Sequence, residues 1–127
     1  MTSQENQPQS KRRFERVKQL LLVNYRVVDF HKDMGEFDEG MTASTVDFSA
    51  GGMMLRMTES FASKTLLDLR FKLTAESSEI NVLSSVVRSV PAEYEGVYYV
   101  SVEYPMLSDA DRTSIDKYVK EINHRRA

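Results

Sequence analysis

The sequence predicts a mainly β domain followed by one C-terminal helix. Three features of the chain predict it. Apolar and polar residues alternate in short runs from Leu22 to Tyr104, turn-forming clusters separate those runs, and after Pro105 the apolar spacing becomes helical. Short, evenly spaced strands with turn signals between them make a sandwich or a small closed barrel. A single amphipathic helix cannot cover both faces of an open sheet. It therefore caps one opening of a barrel or lies against one sheet face.

Each element can be justified in turn. Residues 1–10, "MTSQENQPQS", are polar with nothing to bury, and they predict a disordered N-terminal tail. In "KRRFERVK", Lys11 to Lys18, five of eight residues are basic. Val23, Tyr25 and Val27 alternate with Asn24 and Arg26, which predicts the first strand. "HKDMGEFDEG" is acidic, carries two glycines and predicts a turn or hairpin loop. "MTASTV" leads into "DFSAGG". Beyond the glycines Met53, Leu55 and Met57 face one way, and Met54, Arg56 and Thr58 the other. In "LLDLRFKL", Leu67, Leu69, Phe71 and Leu73 alternate with Asp68, Arg70 and Lys72. "TAESSE" is a turn, and Ile80 to Val90 is a further strand. "VYYVSVEY" puts Tyr98, Val100, Val102 and Tyr104 on one face. Ser108 or Asp109 can cap the helix, and Ile115, Tyr118, Val119 and Ile122 follow at helical spacing. "HRR" ends it with basic residues, where the helix dipole favours cations.

Composition narrows the function. At 127 residues the chain is one domain's worth. Its net charge of −2 argues against coating DNA or an anionic membrane, so an anion site must be a local patch. It has no cysteine, hence no disulfide, thiolate nucleophile or thiolate metal ligand, which fits a reducing compartment. The N-terminus lacks the apolar core of a signal peptide, and the longest apolar run is "LLLV", far short of a membrane span. The expected location is the cytoplasm. An enzyme is not expected: the two histidines, His31 and His124, are far apart, and no HExxH, GxSxG or Walker loop is present.

Two stretches carry the chemistry. In "RRFER", Arg12 and Arg16 are four residues apart, sharing a face on a helix or forming separate fingers on an extended arm. A basic run often does no more than solubilise. It can also recognise anions, because guanidinium offers a fixed fork of donors and a flat face. That fork binds phosphate or the O6/N7 edge of guanine, and the flat face stacks on a base. In "DFSAGG", Asp47 and Ser49 share one face of an extended chain, opposite Val46 and Phe48. Gly51 and Gly52 directly after them allow φ > 0 or a close approach to the backbone. Asp and Ser also make local turns, so a turn and a polar pocket both fit this stretch alone. In a pocket, the carboxylate accepts from guanine N1–H and N2–H₂, which neutral adenine cannot imitate.

Together the two stretches resemble the PilZ domain family, bacterial receptors for cyclic di-GMP. The family carries RxxxR on an N-terminal arm and, about thirty residues later, [D/N]xSxxG on a barrel strand. Arg12-Arg13-Phe14-Glu15-Arg16 matches the first motif and Asp47-Phe48-Ser49-Ala50-Gly51-Gly52 the second. The resemblance runs over residues 11–122. "FASKT" lacks the glycine many members have before the "LLDLRF" strand, a difference that bears on a turn and not on the ligand.

The resemblance implies a six-stranded antiparallel β-barrel with a C-terminal α-helix. Residues 11–127 would be the domain: a basic ligand-binding arm over 11–18, the barrel over 19–105 and the helix over 107–124. It implies cyclic di-GMP as ligand and no cofactor or metal. Arg12 and Arg16 would be the clamp and Arg13 a helper; Asp47 and Ser49 would be barrel-side contacts, with Gly51 and Gly52 permitting close approach. One nucleotide or a stacked pair would bind. Residues 1–16 would become ordered over the barrel with ligand, and the output would go to a downstream protein partner in motility, exopolysaccharide production or virulence. Two other readings compete: a protein–protein adaptor of the same fold that binds no nucleotide, and a small-barrel binder of RNA or single-stranded DNA using the tyrosines from Tyr94 to Tyr99. DNA binding and membrane insertion are not expected.

Overall fold

The alternating runs form strands, and their apolar faces meet inside a closed barrel. The computed structural model describes residues 14–28 and 41–127. Among them are strands β1 (Arg16–Val17), β2 (Leu22–Val27), β3 (Thr42–Ser49), β4 (Gly52–Met57), β5 (Leu66–Phe71), β6 (Ile80–Pro91) and β7 (Tyr98–Glu103), then helix α1 (Asp109–Arg126). The tail over 1–10 and the loop reading of "HKDMGEFDEG" fall outside the described residues. Strands β2 to β7 run in the order β3-β2-β5-β6-β7-β4, and pairing of β3 with β4 closes the ring. All neighbours are antiparallel. Closure leaves no open sheet edge along the ring.

Period two sets the core. Val23, Phe48, Leu55, Leu67, Leu69 and Val100 point inward and are fully buried. Met53, Met57, Phe71, Leu73, Val102 and Tyr104 join them, while Arg56, Thr58 and Lys72 face out. Val27 is the exception in its run and is exposed at the end of β2.

The two-residue strand β1 has no counterpart in the sequence pattern. It pairs with the far end of β3, Arg16 opposite Ser49 and Val17 opposite Phe48. Strand β2 pairs with the near end of the same β3 edge, at Thr42 to Ser44. The link between them is fixed by Thr45, which is 2% exposed. Its hydroxyl donates to the Gln19 carbonyl (2.6 Å) and accepts from the Leu21 N–H (2.7 Å), and the Thr45 N–H donates to the Leu21 carbonyl (3.0 Å).

Helix α1 begins at Asp109, two residues later than the expected 107, because Ser108 is its N-cap: the side chain accepts from the Asp111 N–H at 3.1 Å. Ile115 and Val119 are buried, and the Tyr118 ring stacks on Phe48 with centroids 6.3 Å apart. Tyr118 accepts a hydrogen bond from Gln19, Asn123 donates to the Arg16 carbonyl, and Arg126 donates to the Lys18 carbonyl. The helix thus lies against β1 and β3 and holds the start of the described chain in place.

Candidate nucleotide-binding groove

Asp47 reaches its position because β3 carries one extra residue. Thr45 lies opposite Leu55 but Asp47 lies opposite Met54, so Val46 is a bulge. A bulge reverses the alternation beyond it. Ala43 and Thr45 are buried before it and Phe48 after it, so Asp47 is turned out of the barrel interior it would otherwise enter. Strand β6 has a matching bulge at Val87: Val86 lies opposite Val102, but Arg88 lies opposite Ser101. Strands β4 and β7 pair with each other between these two bulged strands. Across the outer face of the four lies a groove of about 670 Å³.

The groove brings together Arg16, Asp47, Ser49, Gly51 and Gly52, five of the residues the two motifs nominate. Arg12 and Arg13 lie outside the described residues. Arg16 donates to Asp47 Oδ1 from Nε (3.1 Å) and from Nη2 (2.5 Å). The pair is neither buried nor fully solvated, with side chains 29% and 20% exposed. Ser49 is buried opposite Arg16 in the β1–β3 pair, and its Oγ accepts from the Gly51 N–H at 3.0 Å. Near Arg16, the Tyr104 hydroxyl is buried and has no hydrogen-bond partner among the described residues. Burial raises its pKa, against the lowering effect of the Arg16 charge.

The glycines act differently from the expectation that both admit a ligand or a positive φ. Neither has positive φ; among the described glycines only Gly96 does. A Cβ on Gly52 would sit 2.3 Å from the Val102 carbonyl oxygen, so Gly52 is required by the close approach of β7. A Cβ on Gly51 would make ordinary contacts, 3.5 Å from Phe14 and 3.7 Å from the Ser49 hydroxyl.

The remaining walls escape the motif reading. Phe14, Met54, Val87, Arg88, Ser101 and Glu103 line the same groove. Met54 and Val87 add apolar surface to the groove, Arg88 a second cation and Glu103 a second carboxylate. Arg88 reaches the groove through the bulge at Val87, which the sequence does not single out, since Val82-Leu83 is also an adjacent apolar pair in this strand.

Fold and site together define a class: a small closed β-barrel with a polar groove on its wall, lined by Arg16 and Arg88 and by Asp47 and Glu103. The chain belongs to the PilZ domain family, whose model matches residues 10–121. PilZ domains are receptors for cyclic di-GMP, and proteins of the family bind and relay rather than catalyse. The fold is similar to that of the Bacillus subtilis inhibitor of motility MotI/DgrA, with a TM-score of 0.73 and 18% identity over 89% of this chain and 51% of that one. It is also similar to a Xanthomonas campestris pathogenic protein described as a tetrameric PilZ domain self-assembled through a helical bundle. There the TM-score is 0.55, with 9% identity over 67% of this chain and 46% of that one. The chain thus spans about half the length of these solved structures. Comparison with curated proteins gives no match. Among the described residues, no helix is long and apolar enough to cross a membrane.

Proposed function

We propose that this chain is a cytoplasmic receptor for cyclic di-GMP that changes the conformation of its N-terminal arm on binding and signals to a protein partner. The observation that carries this reading is the meeting of the two motifs. Arg16 and Asp47, 31 residues apart in sequence, are paired beside Ser49 in one groove. Arg12 and Arg16 clamp guanine edges and phosphates, with Arg13 assisting. Asp47 accepts from guanine N1–H and N2–H₂, and Ser49 supplies a hydroxyl. Gly51 leaves the groove beside Phe14 and Ser49 without a side chain, and Gly52 lets β7 close behind it.

Hydrogen bonds to charged groups contribute roughly 1.5–3 kcal/mol each, so two arginines and an aspartate supply several kcal/mol toward the cost of ordering the arm. Arg16 and Val17 already pair with β3, so the conformational change involves the arm before them.

Parallel calorimetric titrations with cyclic di-GMP, GTP and a short oligonucleotide test the reading and give the stoichiometry, one nucleotide or a stacked pair. A response to cyclic di-GMP alone is expected. A response to the oligonucleotide, or to none of the three, overturns it. Hydrogen exchange of the arm, slowed at saturating ligand, tests the conformational part; unchanged exchange would sink it.

A further inference from the structure

Arg112 stands on α1, outside both motifs, yet it touches both. Its Nη1 donates to the Ala50 carbonyl at 3.1 Å, across 62 residues of chain. Its guanidinium carbon lies 5.5 Å from the centre of the Phe14 ring. Ala50 is the fully buried residue between Ser49 and Gly51. Phe14 is the middle residue of "RRFER".

The Ala50 carbonyl belongs to the same peptide plane as the Gly51 N–H, and in a trans peptide the two point in opposite directions. That N–H donates to Ser49 Oγ. Fixing the carbonyl from one side therefore aims the N–H at Ser49 from the other. A hydroxyl oxygen that accepts from a backbone N–H still has its own proton to donate. Among the described residues that proton has no acceptor, and Ser49 lines the groove. The peptide ends on Gly51, whose missing Cβ lets φ change with little steric resistance. The next carbonyl, that of Gly51, is held separately by the Tyr104 N–H at 3.3 Å.

We propose that Arg112 is a positioning residue for the nucleotide site: by holding the Ala50 carbonyl and the Phe14 ring, it keeps Ser49 oriented as a hydrogen-bond donor to the ligand and ties both motifs to α1. The proposal rests on the nucleotide reading above. Loss of Arg112 lets the Ala50–Gly51 peptide turn, and the Ser49 hydroxyl then has no fixed role. Arg112 is only partly buried, so its loss leaves the barrel folded.

The test uses Arg112→Met, which keeps an unbranched apolar stem and removes the donors, and Arg112→Lys, which keeps a donor. Without nucleotide, the Gly51 amide is expected to exchange faster in R112M than in wild type while amides of β5 do not change; R112K falls closer to wild type. Unchanged exchange at Gly51, or a uniform rise that includes β5, overturns the proposal. With cyclic di-GMP, R112M is expected to weaken binding roughly tenfold. In a Ser49→Ala background R112M should have no further effect, because both act through one hydroxyl. Fold-losses that multiply in the double variant overturn the coupling. A wild-type protein that binds no cyclic di-GMP overturns the nucleotide reading instead, and Gly51 exchange then decides by itself whether Arg112 holds the turn.

Discussion

Arg16 and Asp47 hold one another before either meets a ligand. Two guanidinium nitrogens of Arg16 donate to a single oxygen, Asp47 Oδ1, and among the described residues no hydrogen bond reaches Oδ2. The carboxylate is thus fixed in direction and still has capacity for guanine N–H groups. Arg16→Ala is expected to weaken cyclic di-GMP binding by roughly tenfold or more. Because the pair is partly exposed, the same change should lower stability by less than about 1 kcal/mol. Calorimetry and thermal unfolding of the variant check both halves; wild-type affinity would remove Arg16 from the clamp.

The two adjacent glycines should separate on substitution. Gly52→Ala drives a methyl to 2.3 Å from the Val102 carbonyl oxygen, and backbone cannot step aside cheaply. A loss of about 1–3 kcal/mol is expected from overpacking between β4 and β7. Gly51→Ala meets only ordinary contacts and needs no change of φ, so stability should stay within about 0.5 kcal/mol. Denaturant titration of the two variants side by side tests the difference. Equal losses would contradict the distinct roles assigned to them.

Thr45→Val keeps the shape of the side chain and removes its hydroxyl. The Gln19 carbonyl would lose a donor and the Leu21 N–H an acceptor, both at a residue with 2% exposure. A cost of about 2 kcal/mol is expected. Amide exchange should rise first at Leu21 and along β1, since this hydroxyl fixes the link between β1 and β2. A variant as stable as the parent would show that water replaces the hydroxyl without penalty.

Alkaline pH should destabilise the fold through Tyr25. Burial, with the hydrogen bond to Glu59 and that carboxylate's charge adding to it, raises the phenol from 10.0 to about 12. The folded protein therefore holds the proton more tightly than the unfolded chain. The resulting stability is fully present below pH 10 and is lost as pH rises through 10 toward 12. Tyr104 is shifted the same way by burial and adds to the slope. Denaturant midpoints between pH 8 and 12 should fall above pH 10, and Tyr25→Phe should flatten part of that fall. An unchanged slope in Tyr25→Phe would assign the effect elsewhere.

These relationships show how far the sequence could be read. The strands were legible because burial on one face of a pleated strand imposes period two, and Leu67, Leu69, Phe71 and Leu73 keep that period without a break. The site motifs were legible because Arg, Asp, Ser and Gly carry their chemistry in the side chain, or in its absence. What was hidden depends on registers. One extra residue at Val46 decides whether Asp47 faces solvent or core, and local alternation does not say where the partner strand will skip. The role of Gly52 is hidden for the same reason: the approach of Val102, from β7, arises only when the barrel closes. Arg112 gives no local signal; its partners lie far away in the chain. Strand β1 is too short for any periodicity, and only its pairing with Ser49 and Phe48 defines it.

The division of one β3 edge between β2 and β1 has a consequence for solubility. Strand β2 covers that edge as far as Ser44, and β1 covers it at Phe48 and Ser49. Without β1 the last rungs of β3 would be an unpaired strand end beside apolar Phe48, a template for recruiting another chain. The segment that leads on from the arginine motif therefore also shields these rungs of β3 from pairing with another chain.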